Sequence, residues 1–311
     1  MDSNDIKKCI LELRRKNRDV DFSIQTNGTL LTHDIADFFK KEKVSVGISV
    51  DGIDEKTNIL RLYPNNSPSI QETLIAIENC INAGVTPGTI SVLTKKNYKK
   101  TIEIIERLSS MGVKAFHFNY FFPGGRGENK EEDLSVSIDD LLDVKTKMLL
   151  YINDYNSMRP KEEHISERHT RNLLRKMARI DQLPYMCAQS PCGSGRKILT
   201  LVPNGDIYPC DDFSTDPLFR IGNVNDISNL SQALEESKAV NLCQSHCVEN
   251  IPQCKSCLFK RICISHCSSD SYHFTGKFNS PHSTCGFVKQ FIPTLIDLLY
   301  KGRIQIENLI N

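Results

Sequence analysis

Cysteine is concentrated in one part of this chain. Ten of its twelve cysteines lie between positions 187 and 285, most of them at short, repeated spacings. The regularly spaced set reads Cys192, Cys210, Cys254-x2-Cys257-x5-Cys263-x3-Cys267 and Cys285. Thiolates at such spacings are common metal ligands. With Cys187 added, the set is large enough for two four-cysteine centres. The pattern therefore predicts a C-terminal region that folds around bound metal.

The composition of the 311 residues is that of a globular protein, with 39% hydrophobic and 25% charged residues. A formal net charge of +1 argues against a nucleic-acid-binding surface, and no apolar run of about 18 residues predicts a membrane span. The polar start, Met1-Asp2-Ser3-Asn4-Asp5, lacks the apolar core of a signal peptide. We therefore expect a cytoplasmic protein in a reducing compartment, where clustered thiols act as metal ligands rather than disulfides.

Strands and helices alternate along the first 122 residues. Residue patterns predict strands at 22–28, 44–50, 89–93 and 113–122 and helices at 5–16, 32–41, 69–82 and 97–111. This succession predicts a parallel sheet wrapped by helices, an open or closed α/β barrel. Further helices are expected at 138–156, 166–181 and 288–301.

Two of the predicted strands carry polar residues on one face near their carboxyl ends. Gln25 and Asn27 share a face of the first strand, and Ser49 and Asp51 share a face of the second, because side chains alternate along a strand. A buried parallel strand is ordinarily apolar on both faces. These residues therefore indicate a ligand at the edge where α/β barrels hold their active sites. The alternative is that the strands simply border solvent.

Three chemical states of the clustered cysteines compete. Disulfides are not expected without export. Structural zinc accounts for the four cysteines from Cys254 to Cys267 but leaves the other four without a role. Iron–sulfur clusters take four thiolates each and account for all eight. We therefore favour two iron–sulfur clusters and keep zinc as an alternative.

The spacing also resembles a known signature. Cys192-x12-Gly205-x4-Cys210, then Cys254-x2-Cys257-x5-Cys263-x3-Cys267, then Cys285 is similar to the SPASM domain of radical S-adenosylmethionine (radical SAM) enzymes that modify peptides and proteins. Residues 23–31 and 46–52 resemble the third and fourth strands of the radical SAM barrel. The resemblance covers nearly the whole chain and is nearest to the anaerobic sulfatase-maturase-like group.

This resemblance implies an α/β fold with a partial (β/α)6 radical SAM barrel over residues 1–125 that lacks its first two strands. A helical linker over 126–186, a SPASM domain with two auxiliary clusters over 187–285 and a C-terminal helix over 286–311 would follow. The Cys-x3-Cys-x2-Cys motif of the radical SAM cluster and the Gly-Gly-Glu-Pro motif of the second strand do not occur in the 311 residues. We therefore expect an N-terminally truncated chain that is inactive alone.

The resemblance also assigns roles to single residues. It implies one auxiliary [4Fe–4S] cluster on Cys187, Cys192, Cys210 and Cys267 and another on Cys254, Cys257, Cys263 and Cys285. It implies S-adenosylmethionine contacts at Ser49 and Asp51, with further contacts at Gln25, Asn27 and Arg61. Asp211 matches the aspartate proposed to deprotonate the substrate, and Asp212 is the alternative base. Cys243 and Cys247 lie outside this assignment and are expected to be ordinary loop residues, with spare ligands or a substrate-handling thiol pair as the alternatives.

The function implied is the modification of a peptide or protein side chain through a 5′-deoxyadenosyl radical. The product would be formylglycine, made from Cys or Ser of a sulfatase, or a modified ribosomal peptide. S-adenosylmethionine and a third [4Fe–4S] cluster are expected only in a full-length protein, with flavodoxin or ferredoxin as electron donor. Neither nucleic acid nor a membrane is an expected partner. A truncated, non-catalytic 4Fe–4S-binding protein is the alternative.

Overall fold

The structure is a computed structural model that describes residues 3–122, 127, 129–179, 186–264 and 266–310. The chain divides into two compact units. The first comprises residues 1–121, 133–171 and 302–311, and the second comprises residues 122–132 and 172–301. The domain boundary predicted at residues 125 and 126 lies outside the described residues. Among the described residues, no helix is both long enough and apolar enough to cross a membrane.

A parallel sheet forms the centre of the first unit. Its strands are β1 Ser23–Thr26, β2 Ser45–Ser49, β3 Gly88–Leu93, β4 Ala115–Tyr120 and β5 Ser166–Glu167. They pair in the order β1-β2-β3-β4-β5, every pair parallel. The helices up to residue 157 are α1 Ser3–Lys16, α2 His33–Lys41, α3 Ile70–Asn82, α4 Thr101–Ser110, α5 Glu131–Leu134 and α6 Ile138–Ser157. The predicted parallel α/β sheet is confirmed.

Alternation along the strands separates a buried face of the sheet from a partly exposed one. Val46 and Ile48 of β2 and Phe116 of β4 are buried. Ser49, on the opposite face, is half-buried, and Gln25 on the edge strand β1 is exposed. The apolar positions therefore build the core, while the intervening polar positions remain accessible near the strand ends.

The fifth strand of the sheet was not predicted. Ser166 and Glu167 pair with β4, and α7 (Arg168–Ala178) begins directly after them. The helix predicted from residue 166 is therefore wrong in its first two residues. The reason is Glu167, whose carboxylate accepts hydrogen bonds from the backbone N–H of Thr170 at 2.8 Å and of His169 at 3.0 Å. A side-chain acceptor just before a helix stabilises its first turn, so the helix starts after Glu167.

Glu167 also forms an ion pair with Lys145 of α6, and the two side chains are only 1% and 2% exposed. Burial alone would raise the pKa of Glu167, but the charges of Lys145 and His169 and the hydrogen bonds to the carboxylate lower it to about 2. Removing a charge from water is costly, and a buried pair offsets that cost only while both partners are present. The pair therefore ties α6 to β5 and to the start of α7.

The second unit contains a small antiparallel sheet, short helices and an aromatic cluster. Its strands are β6 Thr200–Leu201, β7 Asp206–Tyr208 and β8 Gly222–Asn223, paired in that order. Its further helices are α8 Leu230–Glu236, α9 Lys238–Ser245, α10 Pro252–Lys255, α11 Ser268–Thr275 and α12 Cys285–Tyr300. The helix α12 begins at Cys285, three residues before the predicted start. The rings of Phe213 and Phe219, both buried, lie 4.1 Å apart, and Tyr272 stacks on Phe278 at 5.0 Å.

Replacing Lys145 by Met is expected to lower the free energy of unfolding by about 3–5 kcal/mol, because Glu167 then keeps a buried carboxylate without its cation. Urea denaturation followed by circular dichroism measures this loss. The stabilisation is present above the ordinary glutamate pKa of 4.5 and is lost as the pH falls towards the folded value of about 2. Over that pH range the wild type should therefore lose more stability than the variant.

Lys147→Met is the matched control, because Lys147 lies on the same helix and pairs with Asp143 at side-chain exposures of 64% and 57%. Exposed pairs contribute about 0–1 kcal/mol, so this variant should unfold much as the wild type does. Equal destabilisation by the two substitutions would contradict the role given to the buried pair.

Candidate metal centres

Four cysteines line one cavity of the second unit. They are Cys254, Cys257, Cys263 and Cys285, here named the second thiol group. Cys254 lies on α10, Cys285 is the first residue of α12, and the other two lie on the turns that follow α10. Burial, followed by the charges of the three other thiols, raises the pKa of Cys254 to about 11. The structure thus brings together the four cysteines that the resemblance assigned to one cluster.

The other predicted ligands form the first thiol group: Cys187, Cys192, Cys210 and Cys267. Burial raises the pKa of the Cys267 thiol well above its ordinary value, and the charges of Cys187 and Cys192 add to the rise. Ser194 joins two members, because its hydroxyl lies 3.2 Å from Sγ of Cys192 and also hydrogen-bonds the Cys210 thiol. Burial raises the pKa of Cys210 to about 12.

The segment 263–267 carries one thiol of each group, at its first and last residues. A single ammonium group holds this segment against the start of the first thiol group. Nζ of Lys176 donates to the carbonyl of Ala188 at 3.0 Å and to the carbonyl of Cys263 at 2.7 Å. Lys176 therefore links the backbone beside Cys187 to the backbone of a ligand in the other group.

Cys243 is not the loop residue that was expected. It lies on α9 and is fully buried, in the apolar cluster that also contains Cys210 and Phe213. Burial, followed by the charges of Cys210 and Cys192, raises its pKa. A fifth thiol therefore lies near the first thiol group. In the sequence, the spacing Cys243-x3-Cys247 is the feature that could have pointed to it.

In the part of the chain that the structure describes, the cysteine sulfurs are not arranged as tightly as the ligands of a single zinc ion. Thiolates lie about 2.3 Å from a zinc ion, so two sulfurs on one zinc are at most about 4.6 Å apart. Among the described residues, no three cysteine sulfurs lie within 4.8 Å of one another. The one tight group of three possible ligands there is His33, Asp34 and Asp37, all exposed on α2. Thiols with raised pKa values also release protons when a metal group binds.

Two hydrogen-bonding side chains meet at the carboxyl edge of the sheet. Nε2 of Gln25 donates to Oγ of Ser49 at 3.0 Å, across neighbouring strands. Gly47 pairs with Gln25 in the sheet, and a Cβ at Gly47 would overlap the Gln25 amide oxygen. The glycine therefore leaves room for the amide above β2. Asn27, by contrast, accepts hydrogen bonds from the N–H and hydroxyl of Thr29 at 3.2 and 3.0 Å, and this local turn accounts for it without a ligand.

Asp51 is buried, and both of its carboxylate oxygens are engaged. Nε of Arg61 lies 2.8 Å from Oδ2, and Nη2 donates to Oδ1 at 3.0 Å. The backbone N–H of Val92 donates to Oδ1 at 2.8 Å, and the Asn97 amide donates to the Asp51 carbonyl at 2.9 Å. Asp51 therefore holds the Arg61 guanidinium in place and joins the ends of β2 and β3. The sequence pattern placed Asp51 at this edge but not in this network.

Asp211 and Asp212 follow Cys210 in a short helical turn, Asp211–Phe213, and both residues are exposed. Asp212 is the one that meets a thiol, because Sγ of Cys267 lies 3.7 Å from its Oδ2. Although Asp212 is exposed as a residue, the protein around its carboxylate partly desolvates it, and this desolvation, followed by the charge of Asp211, raises the pKa of Asp212. Asp212 is thus tied to the first thiol group, while Asp211 presents an exposed carboxylate beside it.

Comparison with known families gives two matches. Residues 2–95 match the radical SAM superfamily, and residues 192–258 match SPASM, an iron–sulfur cluster-binding domain. The first match covers β1 to β3, and the second covers the start of the cysteine-rich region. The prediction that this chain is a radical SAM/SPASM-domain protein is confirmed.

Similar proteins extend the match to most of the chain. An uncharacterised protein of Archaeoglobus fulgidus is 25% identical over 94% of this chain and 68% of its own length. A cysteine-type anaerobic sulfatase-maturating enzyme of Clostridium novyi is 26% identical over 81% of this chain and 65% of its own length. A solved structure of anSMEcpe with bound AdoMet and the Cp18Cys peptide superposes with a TM-score of 0.77, at 20% identity, over 96% of this chain and 81% of that chain.

The chain spans about two thirds of the length of the curated relatives it matches, with 68%, 67% and 65% of three of them covered.

Proposed function

Because the chain joins a radical SAM superfamily segment to an iron–sulfur cluster-binding SPASM domain, we propose that it serves an enzyme that modifies a peptide or protein side chain. It supplies that enzyme with two auxiliary iron–sulfur centres and with part of the S-adenosylmethionine site. The observation that carries this proposal is the gathering of eight cysteines into two groups of four.

Each thiol group holds one [4Fe–4S] cluster in this proposal. The number of cysteines supports iron–sulfur clusters, because two clusters of four thiolates use all eight, whereas a single zinc ion would leave four without a role. A bound cluster supplies a one-electron redox centre. The chain's own contribution is to hold four thiolates around each centre. In the first thiol group it also shields part of the centre from water, since Cys192 and Cys210 are buried.

The sheet edge contributes contacts to S-adenosylmethionine. Ser49 and Gln25 offer a hydroxyl and an amide side by side at 3.0 Å, and Arg61 offers a guanidinium, the natural partner of a carboxylate. Asp51 orients Arg61 through two contacts of 2.8 and 3.0 Å, so its role here is to position rather than to bind directly. Asn27 contributes less to S-adenosylmethionine binding in this proposal, because its side chain already accepts the hydrogen bonds of a local turn.

Asp211 is the proposed base that accepts a proton from the substrate side chain. It lies next to a ligand of the first thiol group and is exposed, so a substrate can reach its carboxylate. Asp212, the alternative, faces Cys267. The substrate class is a peptide or protein segment with a Cys or Ser side chain, in line with the names of the Clostridium novyi relative and of the peptide-bound structure. A flavodoxin or ferredoxin would supply electrons.

Anaerobically reconstituted protein is expected to hold about eight irons per chain, about four in each [4Fe–4S] cluster. Cys285→Ala should leave about four, because it removes one thiolate of the second thiol group and none of the first. Iron analysis by plasma mass spectrometry, with electron paramagnetic resonance (EPR) of the reduced protein, measures both.

Cys80→Ala is the matched control. Cys80 is a buried cysteine, whereas Cys285 is half-buried, and it lies on α3 in the first unit, so its variant should keep about eight irons. Stoichiometric zinc in place of iron would contradict the cluster assignment. So would equal iron loss in the two variants.

The chain alone, reduced in the presence of S-adenosylmethionine, is expected to form no 5′-deoxyadenosine, because Cys-x3-Cys-x2-Cys is not among its residues. A fusion with a segment that carries this motif ahead of Met1 should form 5′-deoxyadenosine and convert a sulfatase peptide that contains Cys or Ser. Liquid chromatography with mass spectrometry detects both products. Formation of 5′-deoxyadenosine by the chain alone would contradict the assignment of S-adenosylmethionine cleavage to a segment that carries Cys-x3-Cys-x2-Cys.

In the same fusion, Asp211→Asn should stop peptide conversion while 5′-deoxyadenosine still forms, because the substrate proton then has no acceptor. Asp212→Asn serves as the neighbouring control and should retain conversion. The opposite result would move the base to Asp212, and unimpaired conversion by both variants would exclude either residue as the base.

A further inference from the structure

One buried histidine lines the cavity of the second thiol group with an unused ring nitrogen. His266 is 4% exposed, and its side chain forms part of the cavity wall. Among the described residues, its Nε2 is buried and has no hydrogen-bond partner. Its backbone N–H donates to the carbonyl of Cys187 at 3.3 Å, which helps to hold the residue. A buried polar nitrogen without a partner costs free energy, so such an atom calls for an explanation.

The other polar side chains around this cavity are engaged or exposed. Nδ1 of His282 lies 2.9 Å from the hydroxyl of Thr284 and 3.3 Å from the carboxylate of Asp270. Lys260 donates to a backbone carbonyl at 2.8 Å. Gln253 and Lys289 are exposed. His266 is therefore the side chain of this set that is both buried and available to a group inside the cavity.

We propose that Nε2–H of His266 donates a hydrogen bond to a sulfur of the cluster held by the second thiol group, and that this bond raises the cluster's reduction potential. A neutral imidazole carries one N–H, so the ring proton then lies on Nε2, and the ring gives up its hydrogen bond to the Cys263 carbonyl. The inference rests on the proposed function, which places an iron–sulfur cluster in that cavity. Reduction adds negative charge to a cluster, so a donor stabilises the reduced state more than the oxidised state. His266 contacts the cluster as a hydrogen-bond donor, and the four cysteines remain its ligands.

An EPR-monitored redox titration of the reconstituted chain tests this, in a Cys210→Ala background that removes the signal of the other cluster. His266→Leu should lower the reduction potential and change the ratio of oxidised to reduced cluster at a fixed potential about tenfold, which is about 59 mV for a one-electron couple. His266→Gln retains an N–H donor and should shift the potential less. Electron–nuclear double resonance in D2O should show an exchangeable proton at the cluster that His266→Leu lacks.

His246→Gln is the control, because His246 is 1% exposed and its Nδ1 already lies 2.7 Å from the carbonyl of Phe278. This variant should leave the potential unchanged.

Three outcomes overturn the proposal. If His266→Leu retains about four irons and its reduction potential is unshifted, the proposed hydrogen bond is refuted while the proposed function stands. Loss of iron from both His266 variants makes the residue structural or a ligand. Absence of iron from the wild-type chain refutes the proposed function itself, and iron analysis reveals this before any potential is measured.

Discussion

The second unit depends on one short constraint: the segment 263–267 carries a thiol of each group. Its ends are four residues apart, so they lie at most about 14 Å from each other even in a fully extended chain. Lys176 strengthens this connection by binding the carbonyls of Ala188 and Cys263 with one ammonium group. The two groups are therefore close neighbours whatever they bind.

The first unit separates the residues that build its frame from those that face a ligand. Asp51 is fixed by Arg61, Val92 and Asn97, so the ends of β2 and β3 are joined by charge-assisted hydrogen bonds. On the neighbouring strands β1 and β2, Gly47 leaves space for the Gln25 side chain to reach Ser49. Gln25 and Ser49, two of the proposed S-adenosylmethionine contacts, therefore lie on strands rather than on loops, which favours precise binding.

Much of this architecture was predictable from local pattern, and the parts that were not depend on distant partners. Alternating apolar residues predicted β1 to β4, because burial of one strand face leaves a period of two in the sequence. The strand β5 has only two residues and no such period, and it is held by its pairing with β4 and by the ion pair of Glu167 with Lys145, 22 residues away. Cysteine spacing predicted the set of thiols. It could not divide them into two groups, nor reveal the burial of Cys243 or the unused nitrogen of His266, since these are properties of the packed structure.

The central claim is that the eight cysteines hold two separate clusters with interleaved ligands. Crystals of the reconstituted chain, measured on both sides of the iron absorption edge, test it most directly. Two anomalous iron peaks are expected, one within the second thiol group and one within the first, with Cys263 and Cys267 bound to different peaks. A single peak, a peak at the zinc edge in place of iron, or Cys263 and Cys267 bound to the same metal group would contradict it.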